Sequence, residues 1–223
     1  MPFQLRSAVI LALLFLTGSP QLVRAQVAKL RPVDEAARDP SFFVFRARLL
    51  EALQQRDTAF LLSVLSPGIR VSFGAGGGIA DFQKMWKPER PDSKIWLTLT
   101  EILALGGSFR EGNTFAAPYI YSNFPDQFDA FEYGVIVGED VRVRQRPDLN
   151  SPVIGTLSYD IVKVAEWQPK QAAGSKQNWV AVMLANGAQG YVAEDYIRSP
   201  IGYRAIFEKK DGRWLLAALV AGD

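Results

Sequence analysis

The hydrophobic pattern changes period near Gly134. Upstream, apolar residues recur mostly at helical spacing; downstream, they alternate with polar residues in short runs separated by turn signals. One chain must therefore hold two kinds of architecture. The downstream runs are GVIVGEDVRVRQRP, SPVIGTL, IVKVAEW, WVAVML and GAQGYVAEDYI, spaced as strands of a small barrel.

Within the first of these runs, Arg142 and Arg144 alternate with Val141 and Val143. Successive strand side chains point to opposite faces, so the valines should enter a core while the guanidinium groups face water or a neighbouring element. Arg146 belongs to the following turn with Pro147, Asp148 and Asn150, and Glu139, Asp140 and Asp148 balance the positives locally. This reads as a solvated or salt-bridged face rather than a ladder for a polyanion.

The upstream half opens with Asp39-Pro40, an N-cap and first-turn proline, before Phe42, Phe45, Leu49, Leu50 and Leu53 at helical spacing. Asp57 should cap a second, shorter helix that Pro67 and Gly68 stop, and Ile69, Val71 and Phe73 alternate like one face of a strand. The run GAGGGI invites a phosphate-loop reading, but Ile79 stands where a dinucleotide fingerprint needs glycine, and no Gly-Lys-Ser/Thr follows. A strand-to-helix turn explains the glycines, leading to a helix that carries Phe82 and Trp86 inward. A further helix with Ile95, Trp96, Leu99, Ile102 and Leu105 on its apolar side should be capped by Asp92 and closed by Gly106 and Gly107. The tail reads as a hairpin turning at Asp211-Gly212, too apolar at Phe207, Trp214, Leu216 and Leu219 to hang free.

The helix-helix-strand-glycine turn-helix order from Asp39 to Trp86 resembles the start of the cone-shaped α+β domains of the nuclear-transport-factor-two-like superfamily, although the long helix ending at Leu105 departs from that family's run of strands. From Tyr133 to Arg198 the residues resemble a bacterial SH3 domain. The stretch VRVRQRPDLNSPVIGTL is similar to that family's opening, Trp179 and Val180 match its W-x-x-V strand, and NGAQGYVAEDYI matches its closing segment. The fold expected is an α+β N-terminal domain of helices packed on an antiparallel sheet, plus an all-β SH3-like small barrel inserted before a C-terminal hairpin that completes the first sheet. The boundaries expected are a leader at 1–25, a linker at 26–38, the α+β domain at 39–132, the barrel at 133–198 and the hairpin at 199–223. The loop AEWQPKQAAGSKQN is longer and more basic than that family's usual connection. Tyr159, Trp167, Trp179, Tyr191 and Tyr196, with Arg142 and Arg144, are the candidates for a ligand groove; each aromatic could equally serve the core.

The chain has neither cysteine nor histidine. Disulfides, thiolate nucleophiles, imidazole acid-base chemistry and the usual zinc sites are thereby excluded, and no metal, cofactor or catalytic residue is assigned. Wall hydrolases that accompany bacterial SH3 domains commonly use Cys-His or zinc-His sites, which this chain cannot build. Paired carboxylates remain possible for a glycan hydrolase, with Asp81, Glu101, Asp129, Glu132 and Asp223 as candidates, but no motif organises them.

Residues 1–25 combine Arg6, an apolar run from Ala8 to Leu16 and Val23-Arg24-Ala25, a secretory leader pattern cleaved near Ala25 or kept as an interfacial anchor. The run is too short to span a bilayer. Removing it takes two arginines and no acid, so the formal charge of +2 falls to 0, a poor basis for nucleic-acid binding. The expectation is an exported, periplasmic or extracellular, non-enzymatic binding protein whose barrel meets peptidoglycan or an extended peptide. An assembly protein holding another envelope protein is the second reading.

Overall fold

The computed structural model describes residues 28–222 except Ala75, Gly112, residues 172–175 and the side chain of Pro169. The leader reading, part of the long basic loop and Asp223 lie outside the described residues.

Residues 28–38, expected as a linker, are instead tied to both halves. Lys29 bridges Asp160, Asp34 bridges Gly107, and a 3₁₀ turn follows at Ala36–Arg38. Arg46 forks onto Asp34 at 2.7 and 2.8 Å. Helix α1 spans Pro40–Gln55, with Asp39 accepting from the Ser41 and Phe42 amides and Pro40 preset for the first turn. Helix α2, Thr58–Ser63, has the Asp57 side chain on the Phe60 amide. Strand β1, Leu65–Arg70, runs through the Pro67-Gly68 pair expected as a stop. It pairs at Leu65 and again only at Arg70, so the missing proline N–H falls where the ladder is already interrupted. Phe73 lies beyond the strand and is exposed rather than sharing the buried face of Ile69 and Val71.

Helix α3, Ile79–Trp86, buries Phe82 and Trp86 as its pattern requires. Helix α4, Ile95–Ala104, lacks the expected Asp92 cap: its N-cap is Lys94, two residues on, and the Asp92 carboxylate accepts from the Arg90 guanidinium at 2.9 Å. Strands β2, Ser108–Arg110, and β3, Thr114–Ala117, lead into the short helix α5, Tyr119–Ser122. Then come β4, Tyr133–Ile136; β5, Val141–Arg144; β6, Val153–Leu157; β7, Ile161–Lys170; β8, Trp179–Met183; β9, Gln189–Ala193; and β10, Ile197–Arg198. The chain ends in β11, Arg204–Lys210, and β12, Arg213–Val220.

These elements form a mixed α+β structure with two mostly antiparallel sheets. The first is five-stranded in the order β1-β12-β11-β3-β2, and the second is seven-stranded in the order β10-β4-β7-β8-β9-β5-β6. The first departs from the antiparallel expectation at one edge, where β1 runs parallel to β12. Asp211 and Gly212 both take positive φ, 50° and 75°, so the β11–β12 hairpin turns as its Asp-Gly pair dictates. The second sheet differs from a closed barrel: among the described residues its edge strands β10 and β6 are not bonded to each other. Strand β10 has only two residues, which offers little ladder for closure.

Helices α1 to α4 cover the first sheet. Phe42, fully buried, stacks within 4.2 Å of Phe115 and 4.8 Å of Trp214, ring centre to ring centre, with Phe207 and Phe109 beyond. Val143, Val162, Val180, Val182 and Val192 fill the second core. Leu30, Tyr119, Ile120, Val135 and Ile161 form a third cluster that joins the N-terminal segment and α5 to β4 and β7. Burial there pushes the Tyr119 hydroxyl up to about 12.

Candidate functional site

On β5, Val141 and Val143 are buried, Arg142 is exposed and Arg144 is half-buried. The strand is close to β9 because Gly190 has no side chain; a Cβ there would collide with Val143. Arg144 faces Tyr191 across that pairing. Towards its other end β5 loses its pairing with β9, and a groove of about 310 Å³ lies between them. Val141, Arg142 and Arg144 of β5 line it together with Leu149, Trp179, Ala193 and Tyr196. Glu139 and Asp140, in the turn before β5, also line it. Asp140 takes a left-handed turn, φ 50°, with its amide donating to the Ser158 hydroxyl at 2.9 Å.

Four of the seven residues singled out from sequence therefore meet in one place. The other three are elsewhere. Trp167 lies in a separate cleft of about 410 Å³ with Glu101, Glu194, Asp195 and Arg198. Its indole N–H donates to the Phe131 carbonyl at 3.0 Å, and its ring occupies the space over Gly134, where a Cβ would sit 2.9 Å from it. Tyr191 stands in β9 with its hydroxyl accepting from Gln189. Tyr159 occupies a left-handed turn, φ 57°, whose carbonyl accepts the Leu30 amide. Leu149, Glu139 and Asp140 were not singled out as groove residues; only their places in the turns flanking the arginine strand could have pointed to them.

The polar groups of the groove differ in how they are spent. Arg144 donates to the Ser151 carbonyl at 2.7 Å, and the Ser151 hydroxyl accepts the Arg146 amide at 2.9 Å, so this guanidinium holds the β5–β6 loop. The Arg142 guanidinium and the Glu139 and Asp140 carboxylates have no hydrogen bond or ion pair among the described residues. Trp179 is 2% exposed, and its indole N–H has no acceptor. A buried donor without a partner costs about 1–3 kcal/mol. Trp86 Nε1 and the Tyr119 hydroxyl are also unpaired, but Trp86 packs between Phe82 and Tyr203 and Tyr119 sits in the layer between the sheets. Trp179 is the one of these three that lines the groove.

The carboxylates considered for hydrolysis are dispersed in their roles. Asp81 accepts the Gly77 amide at 2.7 Å, Asp129 accepts the Phe131 amide at 2.8 Å, and Glu132 pairs with Lys163 at 2.9 Å. The glycine run takes φ of 114°, 154° and 88° at Gly76, Gly77 and Gly78, and the Gly77 amide that an anion would use is already bonded to Asp81. Among the described residues no group of His, Cys, Asp or Glu side chains could hold a metal ion, and no helix is long and apolar enough to cross a membrane. Comparison with protein-family models, curated proteins and solved structures returns no match, so the reading of this groove rests on its own chemistry.

Proposed function

We propose that the protein is an exported, non-enzymatic binding protein in which residues 133–198 act as an SH3-like unit inserted between β3 and β11 of the first sheet. The unit recognises a cell-wall component or an extended peptide through the groove beside β5. The observation that carries this reading is the buried Trp179 N–H left without an acceptor on the wall of a groove that also presents the exposed Tyr196 ring and an uncommitted guanidinium at Arg142. An extended chain offers carbonyl acceptors at regular intervals, and an exposed tyrosine offers flat contact area at little entropic cost. Export rests on the leader pattern in residues 1–25.

The test is sedimentation of the purified protein with insoluble peptidoglycan across a range of ionic strengths, with Trp179→Phe and Tyr196→Ala beside it. Phenylalanine keeps an aromatic side chain, though a smaller one, and removes the donor, so Trp179→Phe should weaken binding about tenfold, corresponding to about 1.4 kcal/mol. Retention of the wild type that neither substitution alters would place binding outside the groove. No retention at any ionic strength would remove wall recognition and leave the assembly reading.

A further inference from the structure

The groove's charges say more about its ligand than its shape does. Glu139, Asp140 and Arg142 all line the groove, within four consecutive residues, yet none pairs with another or with any other described side chain. Elsewhere the molecule readily joins close opposite charges: Arg90 takes Asp92 at 2.9 Å and Arg38 takes Glu35 at 2.7 Å. Strand geometry explains the difference. The left-handed Asp140 turns the chain between the carboxylates and β5, and Arg142 then leaves on the face opposite buried Val141. Both signs of charge thus line one opening without pairing, and Trp179, with its unpaired donor, lines it from β8.

We infer that the ligand of this groove is a short extended peptide carrying both a free carboxylate and an ammonium, the carboxylate meeting Arg142, the ammonium meeting Glu139 and Asp140, and a backbone carbonyl accepting from Trp179. This rests on the groove reading above and names its ligand class. A purely anionic ligand would meet two carboxylates, and a purely cationic one would meet the guanidinium. A ligand bearing both satisfies both signs, and like-charge juxtaposition penalises the alternatives.

Three probes test it by calorimetry: acetyl-Ala-Gly-Lys-Ala with a free C-terminus, its C-terminal amide, and its Nε-acetyl-lysine form. The first should bind wild type about fivefold more tightly than either of the others, as exposed charge-assisted contacts allow. Arg142→Gln should erase the preference for the free acid and keep that for lysine, and Glu139→Gln/Asp140→Asn should do the reverse. All these side chains are exposed, so the fold should survive, which circular dichroism checks. Equal affinity for all three probes overturns the charge assignment while the groove reading stands. Failure of all three with continued sedimentation on peptidoglycan also overturns it and points the groove to the glycan. Failure of both removes the groove reading and this inference together.

Discussion

The Lys209 ammonium lies 2.8 Å from the Ser41 hydroxyl, joining the last hairpin to the first turn of α1 across 168 residues of sequence. Ser41 Oγ also accepts from the Trp214 indole at 3.0 Å and donates to Asp39 at 2.6 Å. This Ser41 hydrogen bond is the largest cause that lowers Asp39 to about 2; burial opposes it, and the Phe42 and Ser41 amides and Lys209 add to the lowering. Ser41→Ala would leave the buried Trp214 N–H without its acceptor and should cost about 2 kcal/mol in urea unfolding. Lys209→Met, at a pair partly open to water, should cost less than about 1 kcal/mol.

The same site sets an acid response. A carboxylate whose native pKa lies below its unfolded value of 3.8 contributes fully above that value, and the contribution disappears as pH falls towards about 2. Stability measured at pH 5, 3.5 and 2 should therefore fall more steeply in wild type than in Ser41→Ala, whose Asp39 has lost the largest cause of its depression. Parallel acid profiles for the two proteins would show that Asp39 is not linked to folding in this way.

Arg204 is buried with its guanidinium 4.9 Å from the Phe73 ring and 4.7 Å from the Tyr121 ring, and Arg110 approaches the Tyr121 ring at 5.2 Å. Cation–π contacts of this kind contribute about 0.5–2 kcal/mol, more where water is excluded. Phe73→Ala, which removes one contact from an exposed ring, should destabilise by about 1 kcal/mol, and Tyr121→Leu, which removes two, by about 2 kcal/mol. A larger loss for Phe73→Ala than for Tyr121→Leu in denaturant titration would contradict the stack.

Local chemistry was legible in the sequence where one residue decides one structure. Asp39 and Asp57 cap because each precedes an apolar periodic run, and Asp211-Gly212 turns because both take positive φ. The alternation of Val141 and Val143 with the arginines places half of the groove by the same logic. What escaped depends on partners distant in the chain. The parallel pairing of β1 with β12 leaves no local trace, nor does the bridge from Lys29 to Asp160 that turns a presumed linker into part of the fold. Asp92 is a cap-type residue, but the helix begins at Ile95 with Lys94 at its N-cap, two residues past Asp92, whose carboxylate binds Arg90 instead. Trp167 separates from Trp179 because Gly134 gives it a place to pack, a choice visible only when β4 and β7 lie side by side.

Gly107 tests how closely the backbone entering β2 packs on β3. A Cβ at this position would collide with the Ala116 carbonyl oxygen, a backbone atom that cannot swing away, while Asp34 and Glu35 pair with Gly107. Gly107→Ala should cost about 3 kcal/mol or more. Gly187→Ala is the control: nothing lies within 4 Å of its added Cβ, and only its φ of 82° is unfavourable, so about 1 kcal/mol is expected. Equal effects in thermal unfolding would mean that the Gly107 contact relaxes freely.

The position of the final hairpin makes the sharpest prediction about how the two halves depend on each other. Strands β11 and β12 occupy the centre of the first sheet, with β1 on one side and β3 with β2 on the other. A chain ending at Arg198 would leave β1 without its partner and expose Phe42, Phe115 and Ile69 on the face that Phe207, Trp214 and Leu216 cover. The second core draws its members from Ile136 to Ile197 and loses none of them. Hydrogen exchange on the shortened chain should therefore show amides of α1 and α4 exchanging at unprotected rates while those of β7, β8 and β9 remain protected. Protected α1 and α4 amides would mean that residues 39–132 fold without the hairpin, and the second unit would then be a neighbour of the first rather than an insertion into it.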